Sequence, residues 1–196
     1  MQRNLAFCRK NTNGKYCTMS HISHRTYADA QIQGIRCGVL TISDTRTVEN
    51  DTGGQLAQRL LTEGGHHVTQ YAIVRDEPLQ VVAHIEAWVA AGCQMILTTG
   101  GTGIAKRDTT IDAIEPLLVR KLPGFGEIFR MLSYAQVGAA AMLSRATAGT
   151  IGQTLIFCVP GSPAAVDLAM TQLIVPELRH LVWETVRQAP PANKQE

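Results

Sequence analysis

The sequence predicts an α/β protein built on a mostly parallel sheet, and three observations carry that expectation. Apolar runs of strand length alternate with amphipathic stretches of helix length along the 196-residue chain, the order that places helices on both faces of a parallel sheet. The connections between them are short and polar. Three of the apolar runs end in loops rich in Ser, Gly, Pro and Asp: Ser43-Asp44, Gly100 to Asp108, and Pro160-Gly161-Ser162-Pro163. Parallel strands deliver such loops to a single edge, where sheets of this kind bind ligands.

Taken in order, Ile35 to Ile42 reads as a buried strand, followed by a polar loop from Ser43 to Asp51. Thr52 to Glu63 reads as a helix with Leu56, Leu60 and Leu61 on one face, stopped by Gly64-Gly65. Val68 to Val74 alternates as a strand does. Asp76-Glu77-Pro78 opens a second helix, with the acid at the cap and Pro in the first turn. Its core face is Val82, Ile85 and Val89, and Gly92 ends it. Gln94 to Thr99 is a short strand running into Gly100-Gly101-Thr102-Gly103. A third helix starts near Thr109, where Thr109 and Asp112 form a capping box. A fourth covers roughly residues 126–136, Leu155 to Val159 is the last strand, and Pro163 opens a final helix toward Trp183, bent or restarted at Pro176. His66 and His67, between a helix and a strand, read as solvated groups.

One domain over residues 31–188 accounts for this pattern, with a loosely packed or disordered extension at 1–30 and a flexible tail at 189–196. Hydrophobic residues make up 45% of the chain, enough to exclude disorder. The longest uncharged stretch near the middle, Met131 to Ser144, is too short and too polar to cross a bilayer. The net charge is +2, but residues 1–34 hold five basic residues and one acid, which leaves 13 basic against 15 acidic residues elsewhere. A nucleic-acid binder carries its basic excess on the folded domain with aromatics for stacking; aromatics here are 5%, so no nucleic acid is expected as partner. Cys8 and Cys17 with His21 and His24 match no zinc spacing and read as coincidence. Cys37, Cys93 and Cys158 lie in or beside apolar runs as small hydrophobes. No secretory h-region is visible, which points to a reduced, cytoplasmic setting. Met19 is an alternative start, and deleting residues 1–18 is expected to move the melting temperature by less than about 2 °C; a large loss of stability or of ligand affinity contradicts that reading.

The run from Thr99 to Gly103 is the strongest chemical signal. Glycines admit close approach of an anion, successive N–H groups can cradle phosphate oxygens, and Thr99 and Thr102 add hydroxyls. Lys106 and Arg107 follow with positive charge. The alternative is a strand-to-helix turn that needs positive φ; the strand context and the two bases favour phosphate. Neither nucleotide fingerprint is present. Asp76 and Asp108 suit Mg²⁺ beside a phosphate loop, or cap helices; spacing favours capping for Asp76 and leaves Asp108 open. His84 and His180 have no partner at ligand spacing.

Taken together, Leu40-Thr41-Ile42-Ser43-Asp44, Ile96 to Gly103, Arg107-Asp108, Pro123 to Glu127, Leu143-Ser144-Arg145 and Pro160 to Pro163 resemble the MogA/MoaB family of molybdenum cofactor biosynthesis proteins, to which the G domain of gephyrin is related. The match in order and spacing runs from about Ile35 to Trp183. Phe125 to Ser133 and Gly65-His66-His67-Val68 look closer to the MoaB branch.

The resemblance implies a three-layer α/β/α fold, molybdopterin binding, and trimers that often pair into hexamers. For active members it implies adenylylation of molybdopterin by Mg-ATP with release of pyrophosphate, and a downstream molybdate-inserting protein as a further partner. Carried over by motif, Asp76 and Asp108 are catalytic and hold Mg²⁺. Thr99, Gly100, Gly101, Thr102 and Gly103 contact phosphate and nucleotide, while Ser43, Asp44, Ser144, Arg145, Pro160, Gly161 and Ser162 line the substrate pocket. Some MoaB-type proteins depart from the catalytic pattern. This chain keeps both acids but has Thr109-Thr110-Ile111 where a Val-Thr-Pro run is commoner, which removes a helix-start constraint and no functional group. The enzyme reading therefore leads. A non-catalytic molybdopterin carrier with the same pocket is the alternative, and a generic phosphoryl-binding domain is the third.

Overall fold

The computed structural model describes residues 30–186. The Cys8, Cys17, His21 and His24 cluster, Met19, and nearly all of both terminal extensions lie outside the described residues. Six strands form one sheet: β1 (Arg36–Ile42), β2 (His67–Val74), β3 (Met95–Thr99), β4 (Arg120–Lys121), β5 (Thr147–Ile151) and β6 (Thr154–Val159), in the order β2-β1-β3-β6-β5-β4. The first four in that order are parallel; β5 and β4 are antiparallel additions. The helices are α1 (Thr52–Glu63), α2 (Pro78–Ala90), α3 (Thr110–Ile114), α4 (Pro123–Val137), α5 (Pro163–Ala169) and α6 (Val175–Val186). The expected α/β/α fold is present.

Strand alternation sorts the core into two layers, because successive side chains point to opposite faces of a sheet. Val39, Leu97 and Phe157 stand in register and pack against α1, α4, α5 and α6; Leu40, Ile96 and Ile156 face α2 and α3. Each is at most 1% exposed, so the strands read as continuous apolar runs, as expected of a sheet covered on both faces.

Several details depart from expectation. The buried face of α2 is Val81, Ile85 and Trp88, one step around from the Val82, Ile85 and Val89 stripe. Trp88 decides this, because it lies over Gly38, where an added Cβ would come within 2.6 Å of its ring; the glycine opens the sheet surface to the indole. The α4 helix begins at Pro123 rather than Gly126, with Pro in the first turn where its missing N–H is harmless. The β5–β6 hairpin was not expected, since Gly149 interrupts the alternation of β5. The final helix is three pieces: α5, a π-helical turn at Met170–Ile174, and α6. Pro176 cannot donate into the helix ladder, and the wider turn before it absorbs that loss.

His66 is also corrected. It is 3% exposed, held by its own N–H on the Leu61 carbonyl at 2.9 Å, and its Nδ1 has no hydrogen-bond partner among the described residues. Burial first, then the nearby Arg179 and His67, lower its pKa to about 4. The unfolded chain therefore takes up a proton between pH 6.5 and 4 that the folded chain refuses, so stability falls as pH drops through that window. In His66→Gln, the fall in melting temperature between pH 7 and pH 4.5 is expected to be visibly shallower; equal slopes contradict this.

Candidate functional site

Strand register gathers the loops. Ile42 pairs with Val74, Thr41 with Thr99, and Thr99 with Val159, so Ser43, Asp76, Gly100 and Pro160 emerge on one edge. The strand order reverses direction between β1 and β3, and a crevice opens there. At its base Gly100 has φ +107° and Gly101 φ +61°. A Cβ on Gly100 would overlap the Ile42 carbonyl oxygen, and one on Gly101 would strike Thr110 Oγ1 and lie 2.5 Å from Asp76 Oδ2. Only glycine follows this path.

Two cavities share that loop. The larger, about 450 Å³, is lined by Gly100 to Gly103, Asp108, Ser144, Pro160, Gly161 and Ser162, with an apolar wall that includes Phe129, Val137, Leu143 and Leu168. The smaller, about 130 Å³, is lined by Ser43, Asp44, Asp76, Gly101, Arg107 and Asp108. Gly101 and Asp108 belong to both, so a group seated over them reaches into either side.

The two acids are not caps of the helices expected. The cap residue of α2 is Glu77, without a side-chain bond. Asp76 instead reaches across to the next unit: its Oδ1 accepts from Thr109 Oγ1 at 3.0 Å, Thr110 Oγ1 at 3.3 Å and Thr109 N at 3.4 Å. The Thr109–Asp112 capping box does not form; Thr109 makes no side-chain cap bond, and Asp112 is paired elsewhere. Asp108 closes a turn, its Oδ2 accepting from Ala105 N at 2.9 Å. That leaves Asp76 Oδ2, above Gly101, and Asp108 Oδ1 without hydrogen-bond partners among the described residues.

Two expected ligands have other work. The Thr99 hydroxyl is buried and donates to the Pro160 carbonyl at 3.2 Å, tying the ends of β3 and β6 together. Arg145 lines neither cavity at the crevice. Its guanidinium pairs with Asp112 at 2.9 and 3.1 Å and donates to the carbonyls of Thr102 at 3.3 Å and Asp108 at 2.5 Å. It holds the glycine loop at Thr102 and Asp108 from behind. Ser144 Oγ accepts from Ala146 N at 3.3 Å, and Ser162 Oγ caps α5 through Ala165 N at 3.2 Å; both still face the larger cavity.

Sequence reasoning missed Asp51. It is 2% exposed and accepts from Thr41 Oγ1 at 2.6 Å, Tyr71 Oη at 2.7 Å and Gly54 N at 3.0 Å. One carboxylate thus caps α1 and anchors the loop carrying Ser43 and Asp44 to β1 and β2. Burial and the Asp51 carboxylate hold the Tyr71 phenol well above its usual range. The signal was Asp51 directly before Thr52-Gly53-Gly54, an N-cap position.

A glycine cradle, paired acids and a half-apolar cavity at the switch point define an anion- and cofactor-binding α/β domain. The sequence model of the family described as "Probable molybdopterin binding domain" matches residues 38–180. The chain is 54% identical over 156 residues to molybdenum cofactor biosynthesis protein B of Staphylococcus carnosus, covering 78% of this chain and 92% of that one. A crystal structure of a molybdenum cofactor biosynthesis protein B matches with TM-score 0.77 at 50% identity, over 80% of this chain and 98% of the other. The tungsten cofactor synthesizing protein MoaB from Pyrococcus furiosus matches with TM-score 0.73 at 37% identity, over 80% and 99%. The chain belongs to the MogA/MoaB family of molybdenum cofactor biosynthesis proteins and carries its molybdopterin-binding domain. Among the described residues no helix is long and apolar enough to cross a membrane.

Proposed function

We propose that the protein binds molybdopterin in the larger cavity and transfers the adenylyl group of Mg-ATP to the terminal phosphate of the pterin, releasing pyrophosphate. The observation that carries this is the meeting of Asp76 and Asp108, from two separate loops, over the glycine cradle shared by both cavities. The acids suit Mg²⁺: each keeps a carboxylate oxygen without a protein partner, and a hard cation that retains water needs only one or two carboxylates plus phosphates. No group of three or more His, Cys, Asp or Glu side chains able to hold a metal occurs among the described residues, so substrate phosphates would complete the shell. When bound, Mg²⁺ neutralises phosphate charge and orients the reacting groups.

The chain supplies the rest by position. Amides of Gly100 to Gly103 hold phosphate oxygens, the clasp of Arg145 keeps Asp108 in place, and Ser144 and Ser162 face the pterin side. A pterin phosphate oxygen forms the new bond to the α-phosphorus while the bond to the leaving diphosphate breaks. Such transfer depends on alignment and charge neutralisation more than on covalent help. Mixing purified protein with molybdopterin, ATP and Mg²⁺ should release pyrophosphate and yield adenylylated pterin. Tight molybdopterin binding without either product would establish the carrier instead.

The same reading includes a closed symmetric trimer or a pair of trimers. Ile128, Met131, Tyr134 and Val137 are exposed around α4, and Met142 and Leu143 are exposed just beyond it. So many large apolar side chains exposed in one segment support a subunit interface. Sedimentation should give a trimer or hexamer at micromolar protein, and Met131→Glu should shift it toward monomer; a monomeric wild type overturns this. A cytoplasmic setting is supported by free, buried Cys37, Cys93 and Cys158; burial pushes the thiols of Cys37 and Cys158 up to about 12, which keeps them unreactive. A downstream molybdate-inserting protein would receive the product.

A further inference from the structure

We propose that Arg107 takes up the negative charge of the diphosphate as it leaves the nucleotide, an assignment that rests on the adenylyl-transfer reading. The smaller cavity holds one cation and three acids: Arg107 with Asp44, Asp76 and Asp108. Three other arginines around the site are engaged, and Arg75 lines neither cavity. Arg46 donates to the Asn50 carbonyl at 2.6 Å, Arg130 to the carbonyls of Ala146 at 3.2 Å and Ser144 at 3.4 Å, and Arg145 forms its clasp. Arg107 makes no hydrogen bond or ion pair among the described residues, although Asp108 is its chain neighbour.

The turn fixes the main chain that carries Arg107. Asp108 N donates to the Ala105 carbonyl at 2.9 Å, and Ala105 N donates to Asp108 Oδ2 at 2.9 Å. This double closure fixes the backbone on both sides of Arg107, whose side chain lines the cavity with none of its five donors bonded among the described residues. At about 130 Å³ the cavity falls below the roughly 300–1,000 Å³ that encloses drug-sized ligands. Its volume suits a group the size of a diphosphate and is too small for a whole nucleotide or for molybdopterin. As the bond from the α-phosphorus to the bridging oxygen breaks, the electron pair stays with the diphosphate. A guanidinium fork matches two of its oxygens, while Asp76 and Asp108 would hold the Mg²⁺ that neutralises the remaining charge.

The test compares wild type, R107K, R107Q and R75Q. Arg75 lies on the same edge and lines neither cavity, so R75Q removes equal charge elsewhere and should keep kcat within about twofold. R107Q is expected to lower kcat by about 100-fold, with molybdopterin affinity and melting temperature unchanged, and R107K should recover part of the rate. Titration of inorganic pyrophosphate with Mg²⁺ should show at least tenfold weaker binding to R107Q. Equal pyrophosphate affinity in wild type and R107Q overturns the assignment whatever the rates do, as does an R107Q kcat within threefold of wild type. If wild type does not turn over, adenylyl transfer fails as the function; the pyrophosphate titration then decides Arg107 alone, with weaker binding to R107Q sustaining it.

Discussion

Asp108→Asn is expected to slow adenylyl transfer by roughly two to three orders of magnitude while the melting temperature barely moves. The substitution is nearly isosteric, and the Asn amide oxygen still accepts the 2.9 Å bond from Ala105 N. What disappears is the anion facing both cavities. A residue that only closed a turn would tolerate the change almost silently, so rate and stability separate the two roles. Asp76→Asn should behave similarly but less severely. Its Oδ1 carries three bonds from Thr109 and Thr110, which an amide oxygen preserves, and only the charge above Gly101 is lost. Steady-state pyrophosphate release together with thermal unfolding checks both variants.

Gly100→Ala is expected to destabilise the fold by more than about 3 kcal/mol, lowering the melting temperature by about 6–12 °C. Two costs add. The residue sits at φ +107°, where L side chains are strained, and its Cβ would overlap the Ile42 carbonyl. Relief would push β1 and β3 apart at the crevice, so molybdopterin affinity should fall with stability. Gly124→Ala is the matched control: it lies in the first turn of α4 with nothing within 4 Å of an added Cβ. There alanine should be neutral or stabilising by up to about 1 kcal/mol. Melting curves of the two variants, run together, test the argument; similar curves contradict it.

The parallel half of the sheet was legible because β1, β3 and β6 are apolar runs buried on both faces, while the edge strand β2 alternates apolar and polar residues. The β4–β5 ribbon was not, since β4 is two exposed residues and β5 contains Gly149 at its centre. Loop convergence was legible for the same reason as the strands. Asp76 and Asp108 could be picked out by residue type, but not their partners: Thr109 and Thr110 lie 33 and 34 residues from Asp76, and no local spacing rule reaches that far. Local rules instead placed Asp76 on its own helix and paired Thr109 with Asp112. The motif containing Arg145 did not tell which side of the glycine loop the guanidinium lies on, because a clasp from behind and a ligand in front look alike in sequence. His66 was misread because polarity suggested solvent, whereas the Gly64-Gly65 turn folds it inward.

A site that performs chemistry on the pterin, rather than only holding it, leaves a product that can be weighed. Molybdopterin is titrated into wild type and Asp108→Asn, Mg-ATP is added, and the extracted pterin is weighed by mass spectrometry. Equal molybdopterin affinity is expected in the two proteins, with a pterin heavier by one adenylyl group from wild type and unmodified pterin from Asp108→Asn over the same interval. Unmodified pterin from wild type, or full conversion by Asp108→Asn, would contradict that expectation.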